Sequence, residues 1–278
     1  MKEKIVIRDL KAASRSLLKG NWKKGVIINL IFFGILFGTG ILRGIIEFGA
    51  DAISDSDAIV YPLVVSIVVG FIAVGIYNGA ILGWTASFYR YVNGESELSY
   101  RNYKEFIVDK FQKSFFYGIA YSFFIAMWTF GFYIVGIIAM ILISKTDSSI
   151  LTLLLLIVGS IAFVCGVSIC ILKYIQYSMA RYILIDRPDI KIREALKESK
   201  RLIYGYKISY IIMCLSFLGW IILAVFTLGI AGLWVGSYFV TTEALFYKKL
   251  KKIKETFDTI SDKSSVDIDA FMTGVEIK

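Results

Sequence analysis

Ionisable residues inside the long apolar stretches are the ones whose type and spacing could do chemistry, and they are few. Arg43 and Glu47 lie four residues apart in the first stretch, so both side chains can meet on one helix face. They form either an ion pair at the edge of that stretch or a gate or binding point for an external ligand. Glu243, near the end of the last stretch, either pairs locally with Lys248 and Lys249 or acts as a proton-coupling carboxylate.

The other polar residues do not form a catalytic set. The absence of histidine removes the commonest general base and metal ligand. Cys165, Cys170 and Cys214 lie inside apolar runs, as buried packing residues do. Asn29 and Asn78 are expected to hydrogen-bond between helices, each contributing about 0.6 kcal/mol. No nucleophile stands near a base and no phosphate-binding loop is present, so we expect neither enzyme activity, nor a cofactor, nor a metal site.

The composition indicates an integral membrane protein. Of 278 residues, 57% are apolar and 19% are charged, and the mean hydropathy is +0.70. A soluble fold of this size has about 25% charged residues. The last apolar stretch, 208–247, would form a helix of about 60 Å, twice the thickness of a bilayer core. Gly229 and Gly232 favour a break there, which leaves either two full spans or a partly re-entrant hairpin. The predicted spans are 25–46, 58–88, 115–144, 150–172, 208–227 and 231–247.

The basic residues predict the orientation. Four segments, namely the N-terminus, the second and fourth connections and the tail 248–278, carry 29 of the 31 Lys and Arg residues. The positive-inside rule then places both termini in the cytoplasm, within the cell membrane. The net charge of +9 is therefore expected to meet anionic lipid headgroups rather than nucleic acid. On this layout Trp22 lies at the cytoplasmic boundary, and Trp220 and Trp234 lie in the outer half of the last hairpin.

Three cytoplasmic segments, 3–20, 98–113 and 188–204, carry basic and apolar residues at helical spacing. They predict amphipathic helices lying in the membrane interface. The fold class is thus all-α: six spans in three hairpins, each preceded by an interfacial helix, forming one membrane domain over 1–247. The first helix presents a basic surface for anionic lipid or a partner protein, made of Lys4, Arg8, Lys11, Arg15 and Lys19.

Small residues at four-residue spacing predict close helix packing. Gly75, Gly79 and Gly83 form such a ridge on the second span, and Gly34 and Gly38 form a shorter one on the first. Packing within the chain is the main interpretation. Self-association or the lining of a pathway is the alternative.

A resemblance follows from specific motifs. The chain reads PDIKIREALKESKRLIYGYK from Pro188, LSFLGW at Leu215–Trp220 and TLGIAGLW at Thr227–Trp234. With KGNW at Lys19–Trp22 and ALFYKKL at Ala244–Leu250, it resembles the bacterial membrane-protein family catalogued as domain of unknown function 975. The resemblance implies a polytopic helical architecture and carries no established activity. The chain departs from it where relatives often have Pro-Gly in the fourth span and Pro-Tyr in the last.

These observations predict a non-enzymatic membrane protein. The missing catalytic set and the basic cytoplasmic surface favour an accessory, scaffold or self-protection (immunity-type) factor, with a membrane protein as a possible partner. The alternative is a small permease or a carrier of lipids or other amphiphiles, because repeated hairpins are a common basis for transport.

Overall fold

A computed structural model describes residues 5–53, 60–95, 97–146 and 148–273 of the chain. Over these residues the fold is entirely helical, which confirms the predicted all-α class. The elements are α1 (Ile7–Leu18), α2 (Trp22–Ile53), α3 (Val60–Val92), α4 (Arg101–Lys104), α5 (Phe111–Ile143), α6 (Ser149–Tyr177), α7 (Ala180–Asp186), α8 (Ile192–Leu202), α9 (Lys207–Leu215), α10 (Leu218–Phe226) and α11 (Gly232–Thr273).

Five helical segments of the described chain are long and apolar enough to cross a membrane. Four of them coincide with the first four predicted spans, and these helices extend beyond most of the predicted limits. The third ends at Ile143, one residue before its predicted limit, and residues 58 and 59 of the second span lie outside the described ranges. The fifth is Lys207–Phe226. The chain is thus compatible with a multi-pass membrane protein.

The sixth predicted span, 231–247, lies within α11 and is not among these five. Glu243 and the lysines that follow Tyr247 interrupt the apolar part of α11 soon after it begins at Gly232. Six spans in three hairpins therefore stay a prediction.

The chain divides into two compact units. Unit 1 comprises Met1–Ile27, Phe88–Leu98 and Ile208–Lys278, and unit 2 comprises Ile28–Ser87 and Ser99–Lys207. The single membrane domain over 1–247 stays a prediction, as does the cytoplasmic location of 248–278, where α11 continues to Thr273.

Unit 1 has α11 at its centre. Most side chains from Ser237 to Tyr247 are buried. Helix α1, inside the predicted helix 3–20, packs on this part of α11 and places Ser14 and Leu18 in the contact. The Ser14 hydroxyl donates to the Tyr238 carbonyl oxygen at 3.3 Å, so α1 is fixed to α11 by both packing and a hydrogen bond.

Unit 2 contains the α5–α6 hairpin and the short helices around it. Helix α8 lies inside the predicted helix 188–204 and packs on α6, where the Ser199 hydroxyl donates to the Gln176 carbonyl oxygen at 2.8 Å. Helix α6 begins after Ser148, whose side chain accepts a hydrogen bond from the backbone N–H of Leu151. Serine is a favoured residue at this capping position.

The predicted helix 98–113 differs from the structure. Helix α4 passes into one π-helical turn, Glu105–Asp109, and α5 then begins at Phe111. The Lys110 N–H bonds to the Glu105 carbonyl oxygen at 2.7 Å, five residues back, which leaves the Phe106 carbonyl oxygen to the Ser114 hydroxyl at 2.7 Å. This exchange of partners kinks the segment, so it is not one straight helix.

Candidate functional site

The Arg43–Glu47 pair lies on α2. The Arg43 Nε donates to a Glu47 carboxylate oxygen at 2.9 Å, and 45% and 29% of the two side chains are exposed. The structure brings the two residues together as their spacing indicates, and among the described residues no third ionisable side chain pairs with them. The arrangement is that of a local ion pair.

Glu243 is completely buried in unit 1. Its carboxylate accepts a hydrogen bond from the Tyr210 hydroxyl at 2.7 Å, and Tyr210 on α9 is itself only 1% exposed. Of the two lysines expected to pair with Glu243, Lys248 donates to the Val92 carbonyl oxygen at 3.1 Å, and pairing with Lys249 stays a prediction. Sequence reasoning missed Tyr210, since nothing in the spacing of 210 and 243 indicates that α9 and α11 meet there.

The two asparagines behave differently. The Asn29 amide oxygen accepts from the Trp84 indole N–H at 2.6 Å and so joins α2 to α3, as expected of a residue that bonds between helices. Trp84 also stacks on Phe32 with ring centroids 4.6 Å apart. Asn78 donates to the Val74 carbonyl oxygen at 2.9 Å within its own helix. A Cβ added at Gly118 would clash with the Asn78 amide, so this amide fills the contact between α3 and α5.

The glycine ridge on α3 packs against the kinked segment that precedes α5. A Cβ added at Gly79 would lie 2.8 Å from the Phe106 carbonyl oxygen, and one at Gly83 would lie 2.9 Å from the Cα of Tyr103. A Cβ added at Gly75 would overlap the ring of Phe111. The absence of side chains on this ridge therefore lets a backbone approach closely.

Gly34 and Gly38 contact nothing comparable. Within the described chain no atom lies within 4 Å of a Cβ added at either position. Packing within the described chain is therefore not made at these two glycines, and self-association or the lining of a pathway stays a prediction for this pair.

The basic residues of α1 separate into two groups. Arg8, Arg15 and Lys19 are exposed, whereas Lys11 is half-buried; Lys4 lies outside the described residues. The Lys11 ammonium donates to the Ser216 carbonyl oxygen at 3.0 Å and lies 4.5 Å from the centroid of the Phe217 ring. Burial lowers the pKa of Lys11, and the positive charge of Arg15 lowers it further.

Lys11 thus differs from the single basic stripe that the sequence predicts. It holds α1 against the break between α9 and α10. The basic residues of α1 that remain exposed to a ligand are Arg8, Arg15 and Lys19.

An aromatic groove lies beside this face of α1, entirely within unit 1. Its volume is about 620 Å³. Its lining residues are Arg15, Trp22, Trp220, Leu223, Ala231, Trp234, Val235 and Tyr238. One guanidinium thus stands over walls that are otherwise aromatic and aliphatic, and among the described residues the Arg15 guanidinium has no hydrogen-bond or ion-pair partner. A groove of this kind suits an amphiphile with a negative charge at one end.

Sequence reasoning missed this groove. It placed Trp22 at the cytoplasmic boundary and Trp220 and Trp234 in the outer half of the last hairpin, but all three line the same concavity. The separate placement is therefore wrong. The cause is the assumption that α9 and α10 form one straight span, whereas the chain breaks at Ser216 and Phe217.

A second groove, of about 440 Å³, lies between α5 and α6 in unit 2. Its walls are almost wholly apolar, and they include Phe132, Met140, Leu155, Gly159 and Phe163. Among the described residues no group of three or more His, Cys, Asp or Glu side chains is placed to hold a metal ion. Neither groove brings together a nucleophile, a base and an acid.

No curated protein and no solved structure matches the chain significantly. A family model described as "Protein of unknown function (DUF975)" matches residues 1–254. The match covers most of the chain, including the motifs from Pro188 onward and at Lys19–Trp22 that carry the resemblance. The chain therefore belongs to the DUF975 family.

Proposed function

We propose that this protein is a non-enzymatic, multi-pass protein of the cytoplasmic membrane that serves as an accessory, scaffold or self-protection factor. The observation that carries the proposal is the way α1 is held. Ser14 and Lys11 fix the helix to α11 and to the break after α9, while the side chains of Arg8, Arg15 and Lys19 remain exposed.

A surface of this kind is suited to recognition rather than to catalysis. Because α1 is already ordered, a negatively charged partner would bind without ordering the helix, which lowers the entropic cost of association. Exposed charges of one sign also raise the rate at which an oppositely charged partner is captured. The positive-inside distribution supports a cytoplasmic location for this surface and for both termini.

The ionisable groups of the described chain support the non-enzymatic assignment. The Arg43–Glu47 pair is local, and Glu243 is enclosed with Tyr210 away from either groove lining. A general acid or base must lie within hydrogen-bond reach of the substrate atom that it serves. Neither group lines a concave site, so neither is placed for that role.

The test is co-purification in native lipid particles, followed by native mass spectrometry. We compare the wild-type protein with a variant that reverses three exposed charges of α1, Arg8→Glu, Arg15→Glu and Lys19→Glu. A matched control reverses three lysines of the tail, Lys251→Glu, Lys252→Glu and Lys254→Glu. We expect a stoichiometric protein partner that the α1 variant loses and the tail variant keeps. Equal retention by both variants would contradict the proposal.

A second candidate function, a carrier of lipids or other amphiphiles, is favoured by the two apolar grooves. An amphiphile needs few polar groups along its path, which fits the small number of ionisable residues in the predicted spans. The test is transfer of a fluorescent phospholipid across proteoliposome membranes. Glu243→Gln keeps an oxygen that can accept from Tyr210, removes the charge and replaces the second carboxylate oxygen by an amide NH2. Loss of transfer in this variant would favour a proton-coupled carrier, and full transfer would remove Glu243 from that mechanism.

A further inference from the structure

The contacts of the third hairpin with α1 give a reference level from which its depth in the membrane can be inferred. The hairpin consists of α9, α10, the turn 227–231 and the start of α11. Helix α1 contacts it through Lys11 at Ser216 and through Ser14 at Tyr238. Gly25, in the first turn of α2, packs against Ser237, since a Cβ added there would lie 2.7 Å from its hydroxyl oxygen. Both arms of the hairpin are therefore anchored at the level of α1 and the start of α2.

That level is the headgroup region and not the hydrocarbon core. Arg8, Arg15 and Lys19 are exposed on α1, and a charged side chain in the bilayer centre is strongly unfavourable. Lys23 and Lys24 stand at the start of α2, and the Lys24 ammonium pairs with a Glu97 carboxylate oxygen at 2.9 Å. Trp22, Trp220 and Trp234, which line the aromatic groove, are the residue type that concentrates at the membrane–water interface.

Beyond this level the hairpin is too short to cross. Helix α10 has 9 residues, which at the rise of an α-helix is about 14 Å. The hydrocarbon core is about 30 Å thick. Even if α10 stood upright, the turn after Phe226 would end near the middle of the bilayer.

The exposure of the hairpin tip fits an environment of acyl chains. No residue of α10 is buried, and Phe226 and Leu228 are 82% and 94% exposed. On the other side of the anchoring level, α11 is enclosed by unit 1 from Ser237 to Tyr247. The apolar tip is thus the part of the third hairpin that remains uncovered.

Helix α9 has a second exposed apolar surface that can contact acyl chains. Ile208, Ile212 and Leu215 are exposed at helical spacing, while Tyr210 and Met213 on the opposite face are buried. This pattern is typical of a helix that lies along the membrane surface with one apolar side toward the lipid. The break at Ser216–Phe217 allows α10 to turn away from the membrane surface and toward the bilayer core.

We propose that the third hairpin enters only the cytoplasmic leaflet, and that the aromatic groove at its base binds the phosphate of an anionic phospholipid. The Arg15 guanidinium meets the phosphate, and the walls formed by Trp220, Leu223 and Trp234 meet the upper part of the acyl chains. The chain then has four full spans and one re-entrant hairpin. This arrangement leaves both termini on the same side and is compatible with either function proposed above.

Cysteine labelling tests the depth of the tip. Cys165, Cys170 and Cys214 are replaced by alanine, and Leu228→Cys is treated with a membrane-impermeant maleimide in intact cells and in inside-out vesicles. Lys145→Cys and Lys252→Cys report the outer and cytoplasmic sides. We expect Leu228→Cys to be protected from both sides and labelled only in detergent. A nitroxide on the same cysteine is expected to collide freely with oxygen and rarely with an aqueous nickel chelate, as a site near the bilayer centre does.

Two other labelling results would overturn the proposed position of the hairpin tip near the bilayer centre. Labelling of Leu228→Cys from the outside, or strong contact of its nitroxide with external nickel chelate, would show a hairpin that crosses the membrane. Labelling from the cytoplasmic side would show a tip that lies in water.

Lipid retention tests the groove. The protein is reconstituted in nanodiscs of equal parts phosphatidylglycerol and phosphatidylcholine, and the lipids that remain bound are counted by native mass spectrometry. Arg15→Gln is compared with Lys19→Gln, which removes an exposed charge of the same helix from outside the groove lining. We expect phosphatidylglycerol to be retained by the wild type and by Lys19→Gln, and at least tenfold less by Arg15→Gln.

Two controls separate lipid from free phosphate. Millimolar inorganic phosphate or glycerol phosphate is expected not to displace the bound phosphatidylglycerol, because neither fills the apolar walls. Displacement by either would assign the site to a soluble anion and overturn the lipid assignment. Equal retention by the two variants, or equal retention of phosphatidylcholine, would overturn the role of Arg15.

Discussion

At the scale of single residues, identical sequence signals lead to different environments. The glycine pairs on α2 and α3 have the same spacing, yet only the α3 ridge receives another segment, at Phe106 and Tyr103. The spacing of the glycines predicts which helix face lacks side chains and allows close packing. It does not predict what covers that face, because the covering segment is distant in sequence and its kink depends on one exchanged hydrogen bond at Lys110.

Gly79 provides a direct test of this contact. We expect Gly79→Ala to lower the free energy of unfolding by about 1–3 kcal/mol, since its Cβ would overlap a backbone oxygen that cannot rotate away. The matched control is Gly38→Ala, which meets open space and gains up to about 1 kcal/mol of helix propensity. Thermal unfolding in detergent, followed by the retained fluorescence of a C-terminal fusion, compares the two. Equal midpoints would contradict the packing.

The buried Glu243–Tyr210 hydrogen bond is also open to measurement. Tyr210→Phe removes the donor and leaves a buried carboxylate with one partner fewer, which is expected to cost about 1–3 kcal/mol of stability. Tyr204→Phe is the control, because Tyr204 is exposed. The same thermal assay is used. A midpoint for Tyr210→Phe within error of the control would show that the hydroxyl contributes nothing.

At the scale of elements, periodicity predicts the long helices well and the short ones less well. Helices α2, α3, α5 and α6 lie where uninterrupted apolar residues predict spans, because a helix satisfies its own backbone groups in lipid. The face by which α1 packs could not be predicted. The apolar residues Val6 and Ala13 are exposed, whereas Ser14 and Lys11 make the contacts with α11 and Ser216. Polar partners contributed by a distant hairpin decide that face.

The turn that ends α10 places two successive residues, Leu228 and Gly229, in the left-handed region. Gly229 has φ of +89°, and its N–H bonds to the Ala224 carbonyl oxygen at 2.7 Å. We expect Gly229→Ala to destabilise the hairpin by about 1 kcal/mol, because the left-handed conformation is unfavourable for a residue with a Cβ. Gly219→Ala, inside α10 and facing open space, is expected to be neutral or slightly stabilising. Limited proteolysis of the hairpin in detergent distinguishes the two variants. Equal cleavage rates would contradict this account of the turn.

At the scale of the whole molecule, composition and charge predict the class of protein better than its layout. The apolar content indicates a helical membrane protein, and the described chain has five helical segments long and apolar enough to cross a membrane. The motifs indicate the DUF975 family, and the family match confirms it. The fate of 208–247 could not be predicted. Its length allows two spans, while its depth depends on contacts with α1 and Gly25 that no local pattern encodes.

The orientation of the chain is the last prediction, and it does not depend on the number of spans. The basic residues concentrate in four segments that hold 29 of 31 Lys and Arg, so both termini are expected in the cytoplasm whether the third hairpin crosses or not. A fluorescent protein that folds only in the cytoplasm should be bright when fused after Lys278, and alkaline phosphatase should be inactive there. Phosphatase inserted after Lys145 should be active, because that connection lies on the opposite side. Active phosphatase at the C-terminus would reverse the orientation, and the exposed basic face of α1 would then lie outside the cell, where anionic cytoplasmic partners could not reach it.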